Sequence, residues 1–286
     1  MVETIYKTPE GQRQVMAMYD AVLADWPGKY ETRRVPTRHG DTFVIASGSP
    51  AAPALVLLHG SSSNALAWVE DVPVYSPHFR VYAVDIPGEP GRSAHNRPAW
   101  DGPEFSEWLE DVLDGLGVQR AALLAASQGG WPAMKFATTC PERVEKLVLL
   151  APVGVVPPRT SFIVSALFFS MFGRWGVERI NRIIFGGPDG AQPDTARLDA
   201  ARRFMAVILN NFKARMGPRK VFSDGDLARL QMPVLLVIGE KDGLIPTDRA
   251  AARLQALLPK LTVHRLPQAG HVLNNRGAEI LPFLVE

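Results

Sequence analysis

Six short apolar runs alternate along this chain with segments in which apolar residues recur at helical spacing. Apolar runs this continuous are typical of parallel strands, because helices cover both faces of such a sheet. The runs are "ALVLLHG", "RVYAVDIPG", "AALLAAS", "KLVLLAP", "VLLVIGE" and "TVHRLPQAG", and the helical segments include "EFSEWLEDVLDGLG" and "TDRAAARLQALL". We therefore predict an α/β fold with a mostly parallel central sheet flanked by helices.

The N-terminal region has a different pattern. The segment "GQRQVMAMYDAVLADW" has the periodicity of an amphipathic helix. After it, "ETRRVPTR" and "DTFVIASG" have strand character and are separated by His39-Gly40, a typical turn sequence. This pattern predicts a helix followed by a β-hairpin at the edge of the sheet.

The alternation of strands and helices is interrupted once, between Pro152 and Pro233, by helical, aromatic-rich sequence. Ordinary connections in α/β domains are far shorter, so this segment is predicted to be an insertion. We expect an α/β core formed by 1–152 and 233–286, with 153–232 as a helical cap, or lid. Its most apolar stretch, 161–172, is shorter than the roughly 20 residues that span a membrane. It is expected to form a buried or pocket-lining helix.

Composition excludes several kinds of partner. In 286 residues, 31 Lys and Arg balance 29 Asp and Glu, so no strong field favours nucleic acid or an anionic membrane. We expect neither as a partner, and the sequence leaves the oligomeric state open. A single cysteine, Cys140, allows no internal disulfide and is typical of a reducing compartment. The polar N-terminus "MVETIYKTPEGQ" is unlike a signal peptide, which favours a cytoplasmic location.

A candidate nucleophile lies in "LAASQGG", where Ser127 falls between a predicted strand and a predicted helix. A nucleophile elbow needs small residues two positions before and after the serine, because the strand and the helix approach closely there. Ala125 and Gly129 occupy these positions, with alanine in place of the usual first glycine. Taken alone, the pattern fits equally well a serine that caps the following helix.

Two further residues favour the catalytic interpretation. A serine hydroxyl needs a histidine to accept its proton and a carboxylate to orient that histidine. Asp242 follows the strand "VLLVIGE", and His271 follows the last predicted strand. The order Ser127, Asp242, His271 is the order of nucleophile, acid and base on α/β-hydrolase sheets. All three are predicted to lie beyond the carboxyl ends of parallel strands.

The loop "HGSSSN" after an earlier strand is a candidate for stabilising an oxyanion. We predict that Ser61 supplies one backbone N–H donor and Gln128 the other. His59 is expected to hold this loop by hydrogen bonds, because a general base would have to reach the serine hydroxyl. Asp85, at another strand end, is an alternative acid, but we expect it to support its own loop.

Together these motifs resemble the α/β-hydrolase superfamily along nearly the whole chain. The residues that carry the resemblance are "LVLLHGSSSN", "YAVDIPGEPGRS", "AASQGG", "PERVEKLVLLAP", "GEKDGLIP" and "AGHVLNN". Within the superfamily the chain is similar to bacterial serine carboxylesterases with a helical cap. The resemblance implies a Ser-His-Asp mechanism through an acyl-enzyme intermediate, no cofactor or metal, and a cap that covers the pocket.

The expected partner is a small-molecule ester with a short or medium acyl chain. Candidate substrate-binding residues are Ser62, Ser63 and Trp131, which adjoin the loop or the nucleophile, and Phe168 and Phe169 in the insertion. Three alternatives remain open. They are a C–C bond hydrolase of diketone-type acids, whose typical "HGxGPG" loop is absent here, an acyltransferase or perhydrolase, and a non-catalytic small-molecule-binding homologue.

Overall fold

The computed structural model describes residues 4–173, 175–176, 179–180, 183, 196–215 and 220–286. Within them, eight strands form one sheet in the order β1-β2-β4-β3-β5-β6-β7-β8. The strands are β1 (Tyr30–Val35), β2 (Thr42–Ser47), β3 (Ala54–Leu58), β4 (Arg80–Val84), β5 (Ala121–Ala126), β6 (Val144–Leu150), β7 (Val234–Gly239) and β8 (Leu261–Leu266).

The described helices include α1 (Pro9–Ala24), α2 (Val72–Tyr75), α3 (Glu104–Gly115), α4 (Gly130–Thr139), α5 (Thr160–Ser170), α6 (Ala196–Asn211), α7 (Asp224–Leu227), α8 (Thr247–Leu257) and α9 (Gly277–Val285). Helix α1 begins directly after Thr8, which caps its first turn. The Thr8 side chain accepts a hydrogen bond from the Gly11 N–H, and Pro9 needs no N–H partner in the first turn.

The sheet confirms the predicted fold class. Strands β3 to β8 pair in parallel, and β1 and β2 form the predicted antiparallel hairpin at one edge. From β3 the chain goes to β4 on one side and then to β5 on the other. Such a reversal opens a crevice at the carboxyl ends of the strands, where α/β sheets place their ligand sites.

Burial on both faces explains the continuous apolar runs. In β5, Leu123 and Ala125 belong to one buried cluster, and Ala122, Leu124 and Ala126 belong to the cluster on the opposite face. Successive side chains of a strand point to opposite faces, so a strand covered on both sides must be apolar at every position.

The described parts of the insertion are attached to the core at several points. The Phe222 N–H donates to the Gly154 carbonyl (2.9 Å), so the returning chain lies beside the departing chain. The Arg253 guanidinium donates to the carbonyls of Val155 and Phe222. Helix α6 packs along α1. Part of the predicted 153–232 cap lies outside the described residues, and its boundaries stay a prediction.

Helix α5 lies in the stretch expected to be buried or pocket-lining, but its apolar side chains are not buried. Leu167 is 72% exposed, Val164 61% and Phe168 51%. Apolar residues recur almost all around this helix, so one face can pack while others remain in contact with solvent. The helix itself is present but not buried, and the expectation that it lines a pocket stays a prediction.

Among the described residues, every helix is too short or too polar to cross a bilayer.

Candidate active site

Ser127 lies at the sharp turn between β5 and α4. Its φ of +49° is in the left-handed region, which is unfavourable for any residue with a Cβ. Strain of this kind persists where the surrounding structure enforces it, and it is typical of a nucleophile elbow. The Ser127 carbonyl accepts a hydrogen bond from the Val153 N–H (3.0 Å), which fixes the turn against the end of β6.

The glycine two positions after Ser127 is required by close backbone packing. A Cβ on Gly129 would lie 2.4 Å from the His59 carbonyl oxygen and 2.6 Å from the Leu58 carbonyl oxygen. Any side chain would push α4 away from the end of β3. The elbow therefore needs glycine at this position, as the sequence pattern indicates.

The structure brings Ser127, His271 and Asp242 into one hydrogen-bonded chain. The Ser127 Oγ lies 2.7 Å from His271 Nε2, and His271 Nδ1 lies 2.8 Å from Asp242 Oδ2. Asp242 is 2% exposed and His271 5% exposed, whereas Ser127 is only partly buried. In this geometry the imidazole can accept the serine proton while the carboxylate holds the Nδ1–H tautomer.

Close packing of two turns positions the acid and the histidine. A Cβ on Gly239, the last residue of β7, would lie 2.2 Å from the Gly270 carbonyl oxygen. Glycine therefore lets the turn after β7 that carries Asp242 (the acid turn) approach the loop after β8 that carries His271 (the histidine loop). The other Asp242 oxygen accepts hydrogen bonds from the N–H groups of Leu244 (2.7 Å) and Ile245 (2.8 Å), which fixes the carboxylate.

The loop that follows β3 lies beside the elbow. A Cβ on Gly60 would be 3.4 Å from the Ser127 Cβ. Ser61 is exposed, and Ser62 is 9% exposed with a φ of +54°. Ser63 is partly buried. The location fits a loop that approaches the reacting carbonyl, and the donor roles of Ser61 and Gln128 stay predictions.

His59 is buried beneath this loop. Its Nε2 accepts a hydrogen bond from the Ile86 N–H (3.0 Å), and its Nδ1 donates to the Gly60 carbonyl (2.8 Å). Burial lowers the pKa of His59 to about 4, so the ring is neutral at pH 7. These contacts agree with the predicted loop-holding role.

Asp85 is also buried, but it has structural partners. Its carboxylate accepts hydrogen bonds from the Ala65 N–H (2.7 Å), the Arg92 N–H (2.6 Å) and the Tyr19 hydroxyl (3.1 Å). Burial raises the pKa of Asp85 to about 6. These partners tie together α1 and the loops after β3 and β4, as expected for a loop-supporting residue.

Glu89 is a buried residue near the candidate site that the sequence patterns did not single out. It is 3% exposed, and its carboxylate accepts from the Ser62 N–H (2.7 Å) and from the Gln128 side-chain amide (2.8 Å). The available signal was an acidic residue in the turn of "VDIPGEPGRS", directly after a strand end. That signal alone does not distinguish a buried carboxylate from an exposed one.

The aromatic candidates for substrate binding, Trp131, Phe168 and Phe169, differ in burial and in the residues they contact. Trp131 is 3% exposed, packs against Trp100 and Phe222, and donates to the Lys220 carbonyl (2.9 Å). These contacts join the core to the returning insertion, and they do not favour a role in binding substrate. In α5, Phe168 and Phe169 contact each other with ring centroids 5.4 Å apart. Their binding role stays a prediction.

The described residues contain no group of three or more histidine, cysteine, aspartate or glutamate side chains arranged to hold a metal ion. The arrangement around Ser127 places a hydroxyl, an imidazole and a carboxylate in one hydrogen-bonded chain.

Comparison with known proteins gives consistent relatives. Carboxylesterase YbfK of Bacillus subtilis is 32% identical over 93% of this chain and 92% of its own length. Its crystal structure matches with a TM-score of 0.82, covering 96% of this chain and 97% of that chain. The crystal structure of naproxen esterase from the same organism is 27% identical and matches with a TM-score of 0.83, covering 97% and 99% of the two chains.

A relative with a different activity also matches. A 2-hydroxy-6-oxononadienedioate/2-hydroxy-6-oxononatrienedioate hydrolase of Cupriavidus pinatubonensis is 30% identical over 84% of this chain and 89% of its own length. The model of the alpha/beta hydrolase family matches residues 55–282, which include the elbow, the acid turn and the histidine loop. Fold, site geometry and relatives therefore agree that this chain belongs to the alpha/beta hydrolase family.

Proposed function

We propose that this protein is a serine carboxylesterase that cleaves short- to medium-chain esters through an acyl-enzyme intermediate. The observation that carries the proposal is the hydrogen-bonded chain from Ser127 through His271 to Asp242. Similarity to carboxylesterases over most of the chain supports it. The single cysteine is typical of a reducing compartment, and we place the enzyme in the cytoplasm.

In the proposed mechanism, Ser127 Oγ attacks the ester carbonyl carbon while His271 Nε2 accepts the hydroxyl proton. The imidazolium then donates this proton to the departing alkoxide, and the acyl group remains on the serine. In the second half of the reaction a water molecule attacks the acyl-enzyme with His271 as the base, the bond from the acyl carbon to Ser127 Oγ breaks, the carboxylic acid leaves, and the imidazolium returns its proton to Oγ. Asp242 stabilises the imidazolium in both steps.

The backbone N–H groups of Ser61 and Gln128 are proposed to bind the carbonyl oxygen as it becomes negatively charged. Donors already fixed in place stabilise the transition state without reorganising at the moment of reaction. The proximity of the loop at Gly60 to the Ser127 Cβ supports this role for the loop.

Substrate preference is proposed to come from the insertion. Its first helix begins next to the acid turn, because the Arg159 N–H donates to the Leu244 carbonyl (2.8 Å) and Arg159 Nε donates to the Asp242 carbonyl (3.0 Å). Burial of each acyl methylene contributes about 0.8 kcal/mol, so apolar acyl groups are favoured up to the length that a covered pocket accepts.

Labelling with a fluorophosphonate tests the nucleophile. We expect stoichiometric labelling of the wild type and none of Ser127→Ala, with the folded state of the variant confirmed by circular dichroism. A p-nitrophenyl ester series should then give the highest kcat/KM at roughly two to eight acyl carbons. Equal labelling of Ser127→Ala would reject the serine mechanism, and activity still rising at sixteen carbons would indicate a lipase.

A C–C bond hydrolase is the second candidate, because the Cupriavidus relative matches most of this chain. The loop "HGSSSN" weighs against it, since it differs from the glycine-rich loop expected of that class. Both candidates predict labelling of Ser127. Hydrolysis of a vinylogous diketone acid without turnover of any ester would favour the second candidate over the first.

A further inference from the structure

A buried carboxylate connects the two backbone segments that carry the proposed oxyanion donors. One oxygen of Glu89 accepts from the Ser62 N–H at 2.7 Å, directly after Ser61 in the chain. The other oxygen accepts from the Gln128 side-chain amide at 2.8 Å, directly after Ser127. Glu89 is 3% exposed and Gln128 4% exposed, so these contacts are shielded from solvent.

The loop segment needs such a partner because its backbone is strained. Ser62 has a φ of +54°, in the left-handed region that residues with a Cβ rarely adopt. Unfavourable backbone conformations persist only where surrounding contacts enforce them. A hydrogen bond from this N–H to a buried carboxylate is of the stronger, charge-assisted kind, and it holds the turn that aims Ser61.

The Glu89 carboxylate also holds the segment after Ser127. Gln128 follows the strained Ser127, and its side-chain amide donates to Glu89. One side chain therefore contacts the loop after β3 and the elbow after β5. The separation between these two segments sets the distance between the two proposed donors.

We propose that Glu89 is a positioning residue that fixes the spacing of the oxyanion donors by bridging the Ser62 N–H and the Gln128 side-chain amide. This inference rests on the proposed esterase function. Oxyanion donors act when they lie 2.7–3.1 Å from the oxygen of the tetrahedral intermediate, and they contribute less to the ground-state complex. Loss of the bridge should therefore lower kcat and leave KM little changed.

The experiment compares Glu89→Ala and Glu89→Gln with a matched control, Ser93→Ala. Ser93 lies on the same loop as Glu89 and is 4% exposed, and its hydroxyl accepts from the Phe43 N–H (2.8 Å) and donates to the Asp85 carbonyl (2.6 Å), but it contacts neither Ser62 nor Gln128 in the described hydrogen bonds. Each variant is assayed for p-nitrophenyl ester turnover and for inhibition by an alkyl trifluoromethyl ketone. Ser127 Oγ adds to that ketone, the serine proton passes to His271, and the ketone oxygen becomes an oxyanion.

We expect Glu89→Ala to lower kcat and weaken ketone inhibition in parallel by about 10–100-fold, with KM within about threefold. Glu89→Gln should keep at least about a third of kcat, since its oxygen can accept from Ser62 and its amide can donate to a flipped Gln128. Ser93→Ala should lower the melting temperature and keep kcat and inhibition within about threefold.

Three results would overturn the proposal: wild-type kcat and inhibition in Glu89→Ala, equal losses in Ser93→Ala, or equal losses in Glu89→Gln. If Glu89→Ala does not fold, Gln128→Met takes its place, because it removes the bridge and keeps the backbone N–H. Unchanged kcat and inhibition in Gln128→Met would then reject the proposal. Failure of the proposed esterase function would give different results from failure of this inference. The wild type would turn over no ester, or Ser127→Ala would stay active.

Discussion

The turns after β4 and β7 each bury an aspartate at the carboxyl end of a strand, and the two carboxylates have different partners. Asp242, after β7, has one oxygen on His271 and the other on two backbone N–H groups. Asp85, after β4, accepts from two backbone N–H groups and a tyrosine hydroxyl. Asp242 and Asp85 are 2% and 1% exposed, so burial alone does not distinguish the roles proposed for these two carboxylates.

The two carboxylates differ in how many oxygens are left after their backbone N–H partners are bound, and in where those partners lie in the chain. Two N–H groups of its own turn fix Asp242, and one oxygen is left to orient an imidazole. The partners of Asp85 come from three separate parts of the chain, so its role is to connect them. The hydrogen-bond partners of a buried aspartate at a strand end therefore indicate its role. Substitutions at Asp242 and Asp85 test this interpretation.

The largest effect should come from Asp242→Asn. The amide nitrogen would face His271 Nδ1 and favour the tautomer in which Nε2 carries the proton, so the ring no longer accepts the serine proton. We expect kcat for ester hydrolysis to fall by about 10³–10⁴, with KM within about threefold. Steady-state kinetics of the folded variant measure this.

Asp85→Asn is the matched control for that experiment. It should keep kcat within about tenfold, because its partners support loops and do not touch the reacting groups. A reversed pattern, with the larger loss of kcat in Asp85→Asn, would transfer the acid role to the turn after β4.

The next effect is a pH dependence of stability. Burial raises the pKa of Asp85 from 3.8 to about 6, so between these values the folded protein holds a proton that the unfolded chain releases. The contribution of Asp85 to the free energy of unfolding therefore falls as pH rises from about 4 to about 6, by up to about 3 kcal/mol. Asp85→Asn lacks this titration.

Urea denaturation of the two proteins measures that change. The free energy of unfolding of the wild type minus that of Asp85→Asn should decrease by up to about 3 kcal/mol between pH 4 and pH 7. His59 and Asp71, whose pKa values are also shifted by burial, are present in both proteins and largely cancel in the difference. A difference that is constant with pH would contradict the raised pKa.

A smaller effect is expected from Tyr19→Phe, which removes one donor to Asp85. The Tyr19 hydroxyl is buried and lies 3.1 Å from Asp85 Oδ2. Its loss should lower the free energy of unfolding by about 1–2 kcal/mol at pH 7 and leave kcat unchanged. Tyr30→Phe, on the exposed edge strand, is the control and should change stability by less than about 0.5 kcal/mol. Equal effects in both variants would remove Tyr19 from the Asp85 network.

The smallest effect should come from Arg159→Met. Arg159 joins the start of α5 to the acid turn through the Asp242 carbonyl. Loss of this hydrogen bond should lower kcat/KM by about two- to fivefold, because the turn keeps its own backbone contacts. Arg143→Met, which loses hydrogen bonds to carbonyls at the opposite end of β5, should leave kcat/KM unchanged. Equal losses in both would refute a specific link between the insertion and the acid turn.

The sequence predicted the strands well because a sheet covered on both faces imposes an apolar residue at every position, as in β5. It also predicted which turns lie together. The turns that carry Ser127, Asp242 and His271 all follow parallel strands, so they must meet at one edge of the sheet. The structure brings these side chains within hydrogen-bond distance, and their catalytic roles stay predictions.

Other features could not be inferred from local pattern. The burial of Glu89 and its two partners depend on three loops that are distant in sequence. Trp131 follows the elbow in sequence, yet its ring packs against Trp100 and Phe222. The exposure of α5 depends on what packs around the helix, which its own apolar residues do not specify.

By itself, the sequence determined the sheet, the hairpin at its edge and the chain order of the three candidate catalytic residues, because periodicity and topology are carried by residue type and order. The tertiary structure alone decided that Glu89 is buried between the segments of the proposed oxyanion donors, and which N–H groups bind Asp85. The physical reason is that a buried carboxylate must find hydrogen-bond donors, and its donors here include groups far from it in the chain.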